Sequence, residues 1–159
     1  MAEAYKGLTS IVEANLQRQI AHNLSRVGLA KAESVRQSIS AINPGPEVHA
    51  VVRRADEALL DELVPQADVV LDCSDNYATR HAVNAACVRH GKPLVSGAAI
   101  QFDGQISVYD TRVADAPCYA CTFAPDAGFE ETRCSTMGVF APLVLQVGSW
   151  QASEALKIL

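Results

Sequence analysis

A parallel α/β domain with an acidic strand tip is what this sequence predicts, and three observations predict it. Val69-Val70-Leu71-Asp72-Cys73 is a short run of mostly apolar residues without polar alternation, the pattern of a strand buried on both faces. It stops on Ser74-Asp75-Asn76, and in open α/β sheets ligands sit at the carboxyl ends of strands. Such runs alternate along the chain with segments of helical period. Asp75 and Asn76 therefore fall where a charged ligand or a metal ion would be met.

The elements follow in order. Met1 to Ser10 carries no strong periodicity, and Ile11-Val12-Glu13 suggests a strand end. Ala14 to Ile20 is polar and amide-rich, with little reason to be core. Lys31 to Asn43 predicts a helix with Ala32, Val35, Ile39 and Ile42 on one side, stopped by Asn43-Pro44-Gly45-Pro46. Val48 to Val52 reads as a strand. Asp56 caps a helix from Glu57 to Val64 whose Leu59, Leu60 and Leu63 face inward, and Pro65 ends it. With the Val69–Cys73 strand this makes a strand–helix–strand crossover, a connection that is nearly always right-handed.

Ala78 to His90 predicts the next helix, with Ala82, Val83, Ala86 and Cys87 inward and Gly91 as its stop. Lys92 to Gly97 gives a short strand running into small residues. Gln101 to Gln105 signals a turn, after which Gln105 to Tyr109 alternates as a half-exposed strand. Asp110 to Arg133 reads as loop. Ala141 to Leu159 is a long helix whose first half is apolar nearly all round, the mark of a central helix or a subunit interface. It ends without glycine, proline or a polar tail, so the chain is expected to be cut short there.

Composition excludes several classes. The chain has 159 residues, 49% hydrophobic and 19% charged, which suits one folded domain rather than a disordered chain. A net charge of -5 provides no basic excess for binding nucleic acid. No apolar run is long enough for a membrane span and the start is not a signal peptide. Five cysteines do not make a disulfide framework, so a cytoplasmic, reduced protein is the default.

No G-x-G-x-x-G occurs, although a doubly wound nucleotide site normally opens with one. The ordered blocks nevertheless resemble a family: Asn15-Leu16-Gln17-Arg18-Gln19, Lys31, Glu33-Ser34, Leu71 to Asn76, Arg80, Asn84, Pro93 to Ala99, Gly104-Gln105, Cys118-Tyr119-Ala120-Cys121, Gly138-Val139, Ala141-Pro142 and Gln151 to Lys157. They are similar to the ThiF/MoeB/HesA group of ubiquitin-activating-type adenylyltransferases. The resemblance covers nearly everything beyond about the first ten residues. It implies a Rossmann-like, mostly parallel sheet with helices on both faces, incomplete at its N-terminus. Residues 1–159 would be one such domain, truncated at both ends.

The resemblance further implies that ATP and Mg2+ serve to adenylate the C-terminal Gly-Gly carboxylate of a ubiquitin-like sulfur-carrier protein, of the molybdopterin or thiamine type. By motif position Asn15, Gln17, Arg18 and Lys31 match ATP contacts, and Asp75 and Asn76 match the strand tip, with Asp75 near magnesium. Cations suit a reaction that builds charge on phosphate oxygens, and a hard carboxylate suits magnesium. A homodimer is also implied, in keeping with the apolar last helix. The plainer readings are solvated charges for Arg18 and Lys31, and a helix N-cap for Asp75.

Cys118 and Cys121 form a C-x-x-C pair. Structural zinc needs four ligands, and the second pair that family members carry is absent, so these are half a site or two loop thiols. Cys134 lies where some family members use a cysteine in covalent sulfur chemistry, with Arg133 beside it favouring a thiolate. Cys73 and Cys87 are expected in the core, and Asp72 bonded to local backbone. His22, His49, His81 and His90 lack ligand spacing and are expected at the surface.

The missing Gly-rich turn, ribose acid and upstream arginine predict that this chain, a fragment or shortened member, binds ATP poorly alone. Two other classes remain open from the residues. One is a non-catalytic dimerising domain that binds a ubiquitin-like partner. The other is a dehydrogenase-like dinucleotide domain, disfavoured by the absent glycine fingerprint.

Overall fold

The computed structural model describes residues 10–125 and 137–159. The chain forms two compact units, Met1–Arg54 and Ala55–Leu159, taken here one at a time.

In the first unit, Ser10 bridges antiparallel to Ala30, and Ile11 exchanges backbone bonds of 2.9 Å with Leu29 and Gly28. Ile11 is buried, but the strand end expected at Ile11-Val12-Glu13 is reduced to the bridge at Ser10, because Glu13 already opens a helical turn. Helical turns follow at Glu13–Asn15 and Leu24–Arg26, then helix α1 at Lys31–Ile42. The buried line of α1 is not the expected one. Ser34 is fully buried, whereas Ile42 is 86% exposed. Ser34 is tolerated inside because its oxygens are satisfied: the Arg26 guanidinium donates to its carbonyl at 3.0 Å, and its hydroxyl pairs with His22 Nδ1 at 2.9 Å. Arg26 also donates to Ser38 Oγ at 2.6 Å, and that hydroxyl donates to the Ala21 carbonyl at 2.6 Å.

Val48 to Val52 does not form the expected strand; it joins no ladder, and Val51 and Val52 are exposed. Its apolar pattern is right, but a strand exists only where a neighbour pairs with it, and among the described residues nothing does. The strand–helix–strand unit therefore lies one step further along than the sequence suggested.

The second unit opens with Asp56, whose carboxylate accepts the Leu59 N–H at 2.9 Å and caps helix α2, Glu57–Leu63. Leu59 and Leu60 are buried as expected, but Leu63 is 38% exposed, since the helix tightens into a turn at Val64–Gln66 and Val64 takes the inward place. Strand β1 is Val70–Asp72, helix α3 is Tyr77–His90 and strand β2 is Leu94–Ile100. β1 pairs parallel with β2, and strand β3, Asp103–Tyr109, returns antiparallel through a two-residue turn at Gln101-Phe102. β1 is shorter than expected and Leu71 is exposed; with β2 alone beside it among the described residues, it is an edge and not a strand buried on both faces.

Helix α4 is the single turn Tyr119–Thr122, inside the segment expected to be loop, and helix α5 is Ala141–Ile158. Side chains alternate along β2, and helices cover both faces. Leu94 packs with Val83, Ala86 and Cys87 of α3, and with Tyr109 and Tyr119. Gly97, and Gly104 on β3, face α5. This is the layered α/β arrangement the resemblance implied. Of the two expectations for α5, a central helix is not met: Val147, Gln151 and Ala155 form one buried line, while apolar Leu145 and Trp150 are exposed. Gly91 ends α3 at φ 60°, a left-handed conformation that costs other residues strain.

Candidate functional site at the strand tip

The chain after β1 turns sharply through Asp72-Cys73-Ser74-Asp75-Asn76, and four sets of bonds hold it. Asp72 Oδ1 accepts the Ser74 N–H at 2.9 Å, the local role expected of it. Arg80 Nη2 donates to the Ser74 carbonyl at 2.8 Å. Asn76 Oδ1 accepts the Thr79 N–H at 2.8 Å and caps α3. The Gln151 amide, from α5, donates to the Asp72 carbonyl at 2.9 Å. The helix cap is thus Asn76 and not Asp75. Asn76 suits the place because it can adopt an extended backbone while its side-chain oxygen satisfies a first-turn N–H. Asp75 is left exposed, its carboxylate presented at the end of a parallel strand on a fixed turn.

The other nucleotide candidates lie in the first unit. Asn15 is buried, contrary to the expectation for its polar segment, because its Oδ1 accepts the Val12 N–H at 3.2 Å and so closes its own helical turn. Gln17 is exposed. Arg18 is partly exposed and donates to the Ala14 carbonyl at 2.9 Å. Lys31 is the first residue of α1, and its charge reaches His22. Burial, then Lys31 and Arg26, hold the His22 imidazole below its ordinary range. His22 is thus a bonded, half-buried group and not the surface residue expected. His90 pairs with Asp61 at 2.9 Å, and His81 meets the Tyr119 ring edge-on at 5.2 Å. Only His49 is as exposed as predicted.

Cys118 and Cys121 are brought together, with sulfurs 3.4 Å apart at the start of α4. Burial raises the Cys118 thiol, but hydrogen bonds from Cys121, the Asn84 amide and the Cys121 and Ala120 backbone outweigh it and bring it below its ordinary range. Two thiols are half of a structural zinc set, and no group of three metal-ligating side chains occurs among the described residues. The residues described do not fit a zinc site, and no chemistry is assigned to one. Cys134 lies outside the described residues. Cys87 is buried as expected, its thiol pushed up to about 11 by burial and then by the Asp72 carboxylate. Cys73 is not core: it is exposed at the turn, and its thiol donates to Gln151 Oε1 at 3.4 Å.

Three residues that shape the site had no role assigned from sequence. Arg80 and Gln151 hold the turn. Asn84 accepts the Tyr119 N–H at 2.9 Å and donates to Cys118 Sγ at 3.7 Å. The usable signal for Gln151 was an amide four residues from Val147 and from Ala155, on the stripe that periodicity makes inward.

Fold and strand-tip carboxylate together define an α/β domain of the kind whose ligands meet the carboxyl ends of parallel strands. The chain belongs to the ThiF family, whose model matches residues 10–159. It is 43% identical to the molybdopterin-synthase adenylyltransferase of Escherichia coli (strain K12) over 146 residues, 92% of this chain and 58% of that protein. It is 42% identical to the SAMP-activating enzyme E1 of Haloferax volcanii over 151 residues, covering 94% and 54%. It is 43% identical to the adenylyltransferase and sulfurtransferase MOCS3 of Dictyostelium discoideum over 147 residues, covering 92% and 34%. The chain therefore spans between a third and three-fifths of the length of these relatives. The crystal structure of E. coli MccB with ATP matches in fold, with TM-score 0.75 and 21% identity, covering 94% of this chain and 45% of that one. No helix among the described residues is long and apolar enough to cross a membrane.

Proposed function

We propose that this chain serves the ATP- and Mg2+-dependent adenylation of the C-terminal Gly-Gly carboxylate of a ubiquitin-like sulfur carrier, of the molybdopterin type. The likeness to named adenylyltransferases supports the reaction class. The observation that carries the site is the exposed Asp75 carboxylate on a turn pinned by Asp72, Arg80, Asn76 and Gln151.

In this reading a carrier carboxylate oxygen attacks the α-phosphorus, the bond to the bridging oxygen breaks, and pyrophosphate leaves. The carboxylate is already ionised at neutral pH, so no general base is needed. Asp75 would hold the magnesium ion, which supplies charge neutralisation to the triphosphate. Arg18 and Lys31 would stabilise the charge that develops on phosphate oxygens. Gln17 is free to contact the nucleotide. Asn15 and Asn76 keep the nearby backbone in shape through their bonds to Val12 and Thr79. Cys134 would serve the later sulfur step. A homodimer is part of the reading, supported by exposed Leu145, Trp150 and Leu156 on α5, and sedimentation equilibrium tests it.

Carrier-dependent exchange of pyrophosphate into ATP tests the reaction. Arg18→Ala, Lys31→Ala and Asp75→Asn should each lower it about 100-fold or more, the scale for removing a group that stabilises transition-state charge. Exchange at the unsubstituted rate in all three would overturn the reading.

A further inference from the structure

We propose that Gln151 is a positioning residue for Asp75, acting through a gap that only glycine at position 97 leaves open. The proposal rests on Asp75 being the magnesium ligand of the adenylation reaction.

Gln151 is 2% exposed and sits mid-helix on α5, between buried Val147 and Ala155. Burying an amide is unfavourable unless its donors and acceptor are used. Here all of them are. Nε2 donates to the Asp72 carbonyl at 2.9 Å and to the Val95 carbonyl at 3.2 Å, and Oε1 accepts the Cys73 thiol at 3.4 Å. Asp72 ends β1, and Val95 lies in β2 opposite Leu71. One side chain therefore ties both parallel strands to α5 at the point where the chain leaves the sheet for Asp75.

Gly97 makes this reach feasible. A Cβ there would lie 2.3 Å from both Cδ and Oε1 of Gln151 and 2.7 Å from Nε2. A methyl group would push the amide off its three partners. Gly97 and Gln151 are thus two halves of one device, each testable without touching the other. The Asp75 turn has its remaining anchors on its own side chain at Asp72 and on α3 at Arg80 and Asn76. Besides the β1–β2 ladder, which pairs Asp72 with Ser96, the Gln151 amide is the side chain among the described residues that holds the turn's first residue from α5, so it sets where the carboxylate meets a metal. Sub-ångström placement matters there, because magnesium demands near-ideal octahedral geometry.

The test uses the full chain with ATP, carrier and graded Mg2+. Gln151→Met keeps the volume and removes the hydrogen bonds; Gly97→Ala displaces the amide. Both should weaken Mg2+ binding to the ATP-loaded chain about tenfold in isothermal titration calorimetry without carrier, raise the Mg2+ concentration for half-maximal exchange to match, leave the KM for carrier unchanged, and recover in part with Mn2+, which tolerates looser geometry. A merely structural role would move thermal stability but not the metal dependence. Asp75→Asn is the companion. If Asp75→Asn leaves the Mg2+ dependence unchanged, the magnesium reading itself falls. If Asp75→Asn shifts it and the other two variants do not, the positioning role alone falls. Should Gln151→Met fail to fold, Gly97→Ala decides; failure of both to fold would make the pair structural and overturn the proposal.

Discussion

Asn84 Oδ1 accepts the backbone N–H of Tyr119 at 2.9 Å, so helix α3 fixes the entry to the Cys118–Cys121 turn from 35 residues away. Both residues are buried. Asn84→Leu leaves that N–H without a partner in a dry place. It should cost about 1–3 kcal/mol in urea unfolding, the usual penalty for a stranded buried donor. Loss of the same amide removes one of the hydrogen bonds that lower the Cys118 thiol and should raise it toward its ordinary range.

The cysteines differ in a way that alkylation reads directly. Cys118 is partly exposed and held below the ordinary thiol range, while Cys87 is 2% exposed and pushed up to about 11. The thiolate is the reactive form. Brief iodoacetamide treatment near pH 8, read by mass spectrometry, should label Cys118 well before Cys87. Equal labelling in the folded protein would contradict the environments described.

His22 gives the fold a pH dependence of known sign. Burial, Lys31 and Arg26 lower its folded pKa, so the unfolded chain binds the proton more readily. Its contribution is intact above the unfolded pKa of about 6.5 and is lost as pH falls below that toward the folded value. His22→Gln should flatten the stability curve in that window in thermal melts at stepped pH. An unchanged slope would show that His22 is charged and solvated after all.

Gly91 closes α3 in the left-handed region, at φ 60°, with nothing near the place a Cβ would occupy. Gly91→Ala therefore meets strain and no clash. It should destabilise by about 1 kcal/mol, seen as a lower urea midpoint with unchanged m. A cost of several kcal/mol would mean that backbone strain is not what matters there.

The Asp61, Arg89 and His90 group at the end of α3 responds to acid. The hydrogen bond from His90, then the Arg89 charge, hold the Asp61 carboxyl below the usual range despite opposing desolvation. Because the folded pKa is depressed, the contribution is present above about pH 4 and is lost as pH falls through the folded value. Asp61→Asn should narrow the stability difference between pH 6 and pH 3, measured by chemical denaturation.

Much of the fold was legible because it depends on local rules. Asp56 before Glu57 and Gly91 after His90 are backbone signals that act within a few residues, and both behave as read. Leu59, Leu60, Val83, Ala86 and Cys87 are core because helical period alone places them on one face. Val48 to Val52 misled for the complementary reason. Its residues favour a strand, but pairing is a property of neighbours, and no sequence window contains them. Ile42 and Leu63 misled at helix ends, where the apolar stripe continues past the partner it packs on.

By itself the sequence determined the family, the order of helices and strands in the second unit apart from the single turn α4, and the carboxylate at the end of β1. Residue chemistry and spacing act along the chain, and those features need nothing else. Tertiary structure decided that Asn76 and not Asp75 caps α3, that Ser34 and Asn15 are inside, and that Gln151 reaches past Gly97 to the turn. The reason is that a buried polar group is stable only beside particular partners. Those partners, 56 to 79 residues away in the case of Gln151, become neighbours only when the sheet and α5 are assembled.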